Sequence, residues 1–223
     1  MRADALTVPF WSPEEIEEAV RPALDQLERR LVLAYPTETV YGFGGAIDRD
    51  SVEALVKLKR RPPGKPFLLL VDGPAMVDRL DLHLPSYAAG FIAMHWPGPL
   101  TLVLRGGEGR VQPRLRGPEG GVAVRWTSHT GIARIIRAHG DALTSTSANL
   151  PRVPPAQTAA EIVDQWPDAI ARGILRVLDG GRLVPSEPST VVDCTGRHPR
   201  IIRPGAIPAS VLRESAPTLI GDA

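Results

Sequence analysis

Apolar and polar positions alternate along this chain in two different periods. Ser12-Pro13-Glu14-Glu15 opens a helical stretch: serine caps, proline suits the first turn, and Glu15 sits at the capping-box spacing. The pattern carries that helix to about Arg30, and Leu31 to Tyr35 then reads as a buried strand. Asp50 or Ser51 is placed to cap a short helix through Leu58, with Val52, Leu55, Val56 and Leu58 on its apolar side. Phe67 to Val71 is a continuous apolar strand. Pro85-Ser86 opens a helix that stops before Pro97-Gly98-Pro99. Leu100 to Arg105 and Val122 to Arg125 predict short strands, His129 to His139 a helix and Ala142 to Ser147 a strand. Thr158-Ala-Ala-Glu161 repeats the capping box and starts a helix ending near Trp166-Pro167. Strands follow around Ile174 to Leu178, Thr190 to Cys194 and Ile201 to Arg203, and Pro208 to Arg213 predicts a last short helix.

Helices and strands are interleaved, and several strands are too apolar to be half-exposed. That pattern predicts one α/β domain with a mostly covered sheet, a core of about 12–213 and a polar tail over 214–223. The 223 residues suffice for a substantial core. A net charge of +1 gives no global reason to expect nucleic acid, so basic clusters are judged one by one. The single cysteine, Cys194, excludes an internal disulfide and a cysteine-based zinc site, and fits a cytoplasmic protein. Cys194 follows a buried-looking strand and reads as a small core residue. The N-terminus lacks a basic segment followed by an apolar run, so no signal peptide is expected there. No apolar run approaches the roughly 20 residues that span a bilayer.

Five stretches carry candidate chemistry. In Tyr35 to Gly45, YPTETVYGFGG, the period of two puts Thr37, Thr39 and Tyr41 on one face and Glu38 and Val40 on the other, before a glycine cluster. Lys57 to Lys65 puts five cations in nine residues at a helix end and into a Pro-Pro-Gly loop, suited to phosphates or carboxylates. Ser145, Ser147 and Asn149 share a face at a strand's C-terminal end, where open α/β sheets place ligands. Ser189-Thr190 opens a strand with hydroxyls, and Arg203-Pro204-Gly205 puts an arginine at a strand end beside a tight turn. There is no phosphate-binding loop of the G-x-x-x-x-G-K-[ST] type and no dinucleotide fingerprint. The five histidines, His83, His95, His129, His139 and His198, form no ligand pattern.

Together and in this order, the stretches YPTETVYGFG, KLKRRPPGKPF, HWPGPLTLVL, GVAVRW, LTSTSANL, PSTVVDCTG and IIRPGAI resemble the threonylcarbamoyl-AMP synthase (YrdC-like) family, of the short single-domain type. The resemblance implies an open, twisted mixed sheet with flanking helices around a concave basic cavity. It implies condensation of L-threonine, bicarbonate and ATP to threonylcarbamoyl-adenylate and pyrophosphate, with Mg2+ bridging phosphates. It also implies a downstream transferase complex that modifies tRNA. By resemblance, Lys59 and Arg61 hold the triphosphate, and Ser145, Ser147, Asn149 and Arg203 contact the nucleotide. Thr37, Thr39, Tyr41, Thr101, Arg125 and Ser189 are expected around threonine, with Arg125 on its carboxylate. The chain departs from the family's usual pattern at Leu70 or a neighbour, in the strand where many relatives have histidine, at Trp126-Thr127 after Arg125, and at Pro151-Arg152 after S-A-N. Two other functions fit parts of the pattern: a carbamoyl-adenylate-forming domain acting on carbamoyl phosphate, and an RNA-binding module using the basic loops at Lys57 to Lys65 and Arg110 to Arg116. Aromatic residues at 5% leave few stacking platforms for the latter.

Overall fold

The computed structural model describes residues 7–61, 65–216 and 218–220. The Pro62-Pro63-Gly64 turn expected within the basic loop lies outside them, as do the first six residues and part of the polar tail. In chain order the elements are β1 Thr7–Pro9, α1 Pro13–Glu28, β2 Val32–Tyr35, β3 Gly42–Gly44, α2 Arg49–Lys59, β4 Leu68–Val71 and α3 Pro74–Arg79. Then come β5 Leu82–His83, α4 Ala88–His95, β6 Leu100–Gly106, β7 Val122–Trp126, α5 Thr130–His139 and β8 Leu143–Ser147. The chain continues through α6 Ala159–Gln165, α7 Pro167–Ala171, β9 Leu175–Asp179, β10 Thr190–Asp193, β11 Arg200–Arg203 and α8 Ala209–Ser215.

The strands form one open sheet in the order β1-β9-β2-β3-β8-β4-β7-β6-β10-β11, with β5 beside β6. Parallel neighbours such as β4 with β7 alternate with antiparallel ones such as β6 with β7, so the sheet is mixed, as expected. Helix α1 lies against β2, β9 and α5. Its start follows from the sequence: Ser12 Oγ accepts from the Glu15 N–H, and the Glu15 carboxylate accepts from the Ser12 N–H.

Alternation along the central strands separates two faces. Leu100, Leu102 and Leu104 of β6 and Val122 and Val124 of β7 are fully buried. Thr101, Ala123 and Arg125 point the other way, into a cavity. Burying those leucines and valines, roughly 1.5–3 kcal/mol each, holds the polar face in register.

Several boundaries differ from expectation. Helix α2 is capped by Asp48, whose carboxylate accepts from the N–H groups of Asp50 and Ser51, rather than by those two residues. The short elements β1, β5, α3 and α7 were not anticipated; each is too brief to show a period. The largest correction concerns Tyr35 to Gly45. It is not one alternating strand. β2 stops at Tyr35, residues 36–41 form a turn, and β3 returns antiparallel beside β2. The cause is Thr37: its hydroxyl accepts from the N–H groups of Thr39 and Val40, both at 3.2 Å, and so supplies the partner a sheet ladder would have given. No helix among the described residues is long and apolar enough to cross a membrane.

Candidate active site

A cavity of about 440 Å³ opens on the polar face of the sheet. Its walls come from the turn after β2, the end of β8, the loop before β4, and the strands β6, β7, β10 and β11. Among the described residues, Arg61, Lys65, Arg125 and Arg203 line it, and no aspartate or glutamate does. Thr37, Thr39, Thr101, Ser145, Thr146, Ser147 and Ser189 supply hydroxyls.

The turn delivers Thr37 and Thr39 together by a route the strand reading missed. Their hydroxyl oxygens are 3.1 Å apart, and both residues are buried. Tyr41 is not with them. Its hydroxyl donates to the Gly181 carbonyl at 2.8 Å and accepts from the Gly180 N–H at 3.0 Å, which pins it to the loop after β9. The expectation that Tyr41 shares the threonine wall is therefore corrected: the turn rotates it out of register with Thr37 and Thr39.

Lys59 and Arg61 are separated by the end of α2. Lys59 is 5% exposed and is not among the cavity's lining residues. Its ammonium donates to the Ser147 carbonyl at 2.6 Å and the Asn149 carboxamide oxygen at 2.8 Å, and also to the Asn149 carbonyl. Asn149 spends its side chain on this clamp and on the Val153 carbonyl, so it too is absent from the lining. Burial, then the nearby Arg61 charge, push the Lys59 ammonium down to about 8. Arg61 does line the cavity. Its guanidinium donates to the Lys65 carbonyl at 3.0 Å, Thr146 Oγ1 at 2.9 Å and the Pro66 carbonyl at 2.6 Å. It also lies 4.5 Å from the Phe67 ring centroid. Burial pushes its pKa down as well.

At the opposite wall, Arg203 donates to the Ser189 carbonyl at 2.7 Å and hydroxyl at 3.1 Å, and Ser189 Oγ is 2.8 Å from Thr101 Oγ1. Burial, then the Arg125 charge, push Arg203 down. The two motifs meet through the Ala206 N–H, which donates to the Pro188 carbonyl at 2.9 Å. A Cβ at position 205 would stand 2.1 Å from that carbonyl, so only glycine lets Arg203-Pro204-Gly205 pack there. Arg125, 4% exposed, is held from behind by Glu38 at 3.5 Å and reaches Thr39 Oγ1 at 3.4 Å.

Thus Thr37, Thr39, Thr101, Arg125, Arg61, Ser145, Ser147, Ser189 and Arg203 line one cavity, and Lys59, Asn149 and Tyr41 are not among its lining residues. Sequence reasoning missed Thr146, whose odd register hid it, and treated Lys65 only as part of a charge cluster. Among the described residues no group of three or more His, Cys, Asp or Glu side chains is placed to hold a metal. Cys194 is buried, with its thiol pushed up to about 12 by burial, in keeping with a core role.

Comparison with known proteins identifies the family. The profile of the Sua5_yciO_yrdC family, described as "Telomere recombination", matches residues 25–205. Threonylcarbamoyl-AMP synthase of Chromohalobacter salexigens is 33% identical over 181 residues, covering 81% of this chain and 95% of that protein. The threonylcarbamoyl-AMP synthase of Pyrococcus abyssi is 32% identical over 206 residues, 91% of this chain, which spans 59% of that longer relative. The crystal structure of P. abyssi Sua5 complexed with L-threonine superposes with a TM-score of 0.85 at 28% identity, covering 96% of this chain and 62% of that one. On sequence and fold alike, this chain belongs to the Sua5/YciO/YrdC family.

Proposed function

We propose that this chain is an L-threonylcarbamoyladenylate synthase, condensing L-threonine, bicarbonate and ATP to threonylcarbamoyl-AMP and pyrophosphate. The observation that carries the reading is the cavity itself: Arg61, Lys65, Arg125 and Arg203 around buried hydroxyls, with no carboxylate among the described lining residues. Such a site suits two anionic substrates that repel each other in water.

In this reading Arg125 takes the amino acid's carboxylate through a guanidinium fork. Thr37, Thr39, Thr101 and Ser189 surround its side-chain hydroxyl and amine. Arg61, Lys65, Ser145, Thr146 and Ser147 take the triphosphate. Lys59 holds the backbone of the Ser147–Asn149 loop and adds its charge from behind. Arg203 faces the α-phosphate side. An adjoining groove, which shares Pro66 and Ala123 with the cavity, offers apolar surface from Val103, Pro118 and Ile202 for a purine ring.

The chemistry needs no activated side-chain nucleophile. Bicarbonate loses hydroxide to give carbon dioxide, threonine's amine bonds to its carbon, and the amine proton leaves with the hydroxide as water, giving an N-carboxylate. A carboxylate oxygen then bonds to the α-phosphorus as the bond to the β-phosphate oxygen breaks, and pyrophosphate leaves. The chain's task is to bring two anions into line and offset charge on the phosphates. Mg2+ would be held mainly by the substrate phosphates and water, since the described lining supplies hydroxyls but no carboxylate, and it would offset phosphate charge. The product is a mixed anhydride, suited to passing its acyl group to a nucleophile such as the adenosine amine of tRNA on a separate transferase. The direct test is mass detection of threonylcarbamoyl-AMP formed from ATP, L-threonine and 13C-bicarbonate. A labelled adenylate supports the reading; its absence, with carbamoyl phosphate giving an adenylate instead, moves the chain to the carbamoyl-transfer class.

A further inference from the structure

We infer that Glu38 and Thr127 form a tether that fixes the Arg125 guanidinium for an amino-acid carboxylate, which makes both of them positioning residues. The inference rests on the amino-acid reading of the cavity.

Glu38 lies between Thr37 and Thr39, yet it is not among the cavity's lining residues. Its carboxylate points behind the wall. Oε2 accepts from the Thr127 hydroxyl at 2.6 Å, and that hydroxyl oxygen in turn accepts from the His129 N–H at 3.2 Å. The hydroxyl proton is therefore committed to Glu38, and the chain from His129 through Thr127 fixes the carboxylate's orientation. Oε1 then stands 3.5 Å from Arg125 Nε, and neither of those atoms has a hydrogen-bond partner among the described residues. The pair sits where side chains are 5% and 14% exposed, so its attraction is little screened.

Arg125 has few other restraints. Among the described residues, the hydrogen bond it makes is the 3.4 Å contact from Nη1 to Thr39 Oγ1. A guanidinium carries five N–H donors. One lies toward Glu38 at the rear, and the Nη edge, beside Thr39, is left for a ligand. A rear carboxylate fixes the plane of the fork, and a planar fork binds an external carboxylate bidentately only when that plane is set. Removing one partner of a buried pair leaves the other charge uncompensated, so Glu38→Gln would also destabilise a merely structural pair; the split between the two KM values is what separates positioning from packing.

The test uses pyrophosphate release, with KM measured separately for L-threonine and ATP in Glu38→Gln, Thr127→Val and Thr127→Ser. Both Gln and Val keep the shape of the residue they replace, and Ser keeps the hydroxyl. The expected result is a KM for L-threonine about tenfold higher in Glu38→Gln, which removes the rear charge, and in Thr127→Val, which removes the hydrogen bond that orients it. KM for ATP should stay within about twofold, and Thr127→Ser should restore the wild-type value. A wild-type threonine KM in Thr127→Val, or equal rises for both substrates, overturns the tether. Absence of threonine-dependent release in the unaltered protein would instead bring down the proposed function, and the tether with it, before any variant is compared.

Discussion

Lys59 Nζ stands 2.8 Å from Asn149 Oδ1 and 2.6 Å from the Ser147 carbonyl, so the last turn of α2 is fastened to the loop that leaves β8. Only the ammonium form brings three N–H donors to the three oxygens it meets. The Lys59 ammonium is pushed down to about 8. Raising the pH through that value therefore removes both a charge and a donor. The expected outcome is a kcat/KM for ATP that is level below that pH and falls as pH rises through it. A profile of pyrophosphate release from neutral to alkaline pH checks this; a flat profile contradicts it. Lys59→Met should lower kcat/KM for ATP strongly at every pH and abolish the alkaline limb.

Arg61 reaches three oxygens on two different segments and covers Phe67. A lysine cannot reproduce that fork or its stacking. Arg61→Ala should therefore cost about a hundredfold in kcat/KM for ATP, and Arg61→Lys should recover little of it. Steady-state kinetics with ATP as the varied substrate decide the matter. Near-normal activity in both variants would remove Arg61 from the site.

The parts of this molecule that sequence made legible are those decided locally. The Ser12–Glu15 box and the L-T-L-V-L alternation of β6 each rest on residues a few positions apart, and both appear as expected. The 36–41 turn was hidden because P-T-E-T-V-Y has a strand's alternation; the choice of Thr37 Oγ1 to bond Thr39 and Val40 decided otherwise. Lys59 was hidden for another reason. Nothing near it in sequence says that the carbonyls of Ser147 and Asn149 will meet it. The same holds for Glu38, whose partners Arg125 and Thr127 lie a long way down the chain. Family resemblance recovered which residues gather, but not which of them face inward.

Gly44 tests the sheet that carries the site. A Cβ there would stand 1.9 Å from the Thr144 carbonyl and 2.5 Å from the Tyr35 hydroxyl, which itself donates to that carbonyl. Backbone cannot yield cheaply at that distance. Gly44→Ala should destabilise the protein by about 3 kcal/mol, the upper part of the usual overpacking range. Denaturant unfolding measures it, and a loss below about 0.5 kcal/mol would contradict the β3–β8 packing described.

Ser189 and Thr101 form a buried hydroxyl pair that Arg203 also engages. Ser189→Ala leaves the Thr101 hydroxyl without that partner and frees part of the Arg203 fork. Binding of L-threonine, followed by calorimetry, should weaken by about fivefold, with a stability loss of about 1 kcal/mol. Unchanged affinity would place the pair outside the amino-acid pocket.

The central claim is that one cavity joins three substrates, and dependence of pyrophosphate release on each of them tests it most directly. With ATP and the intact chain, release should require L-threonine and bicarbonate together and should fall to background when either is withheld. Equal release without threonine, or release supported by carbamoyl phosphate in its place, would contradict the account.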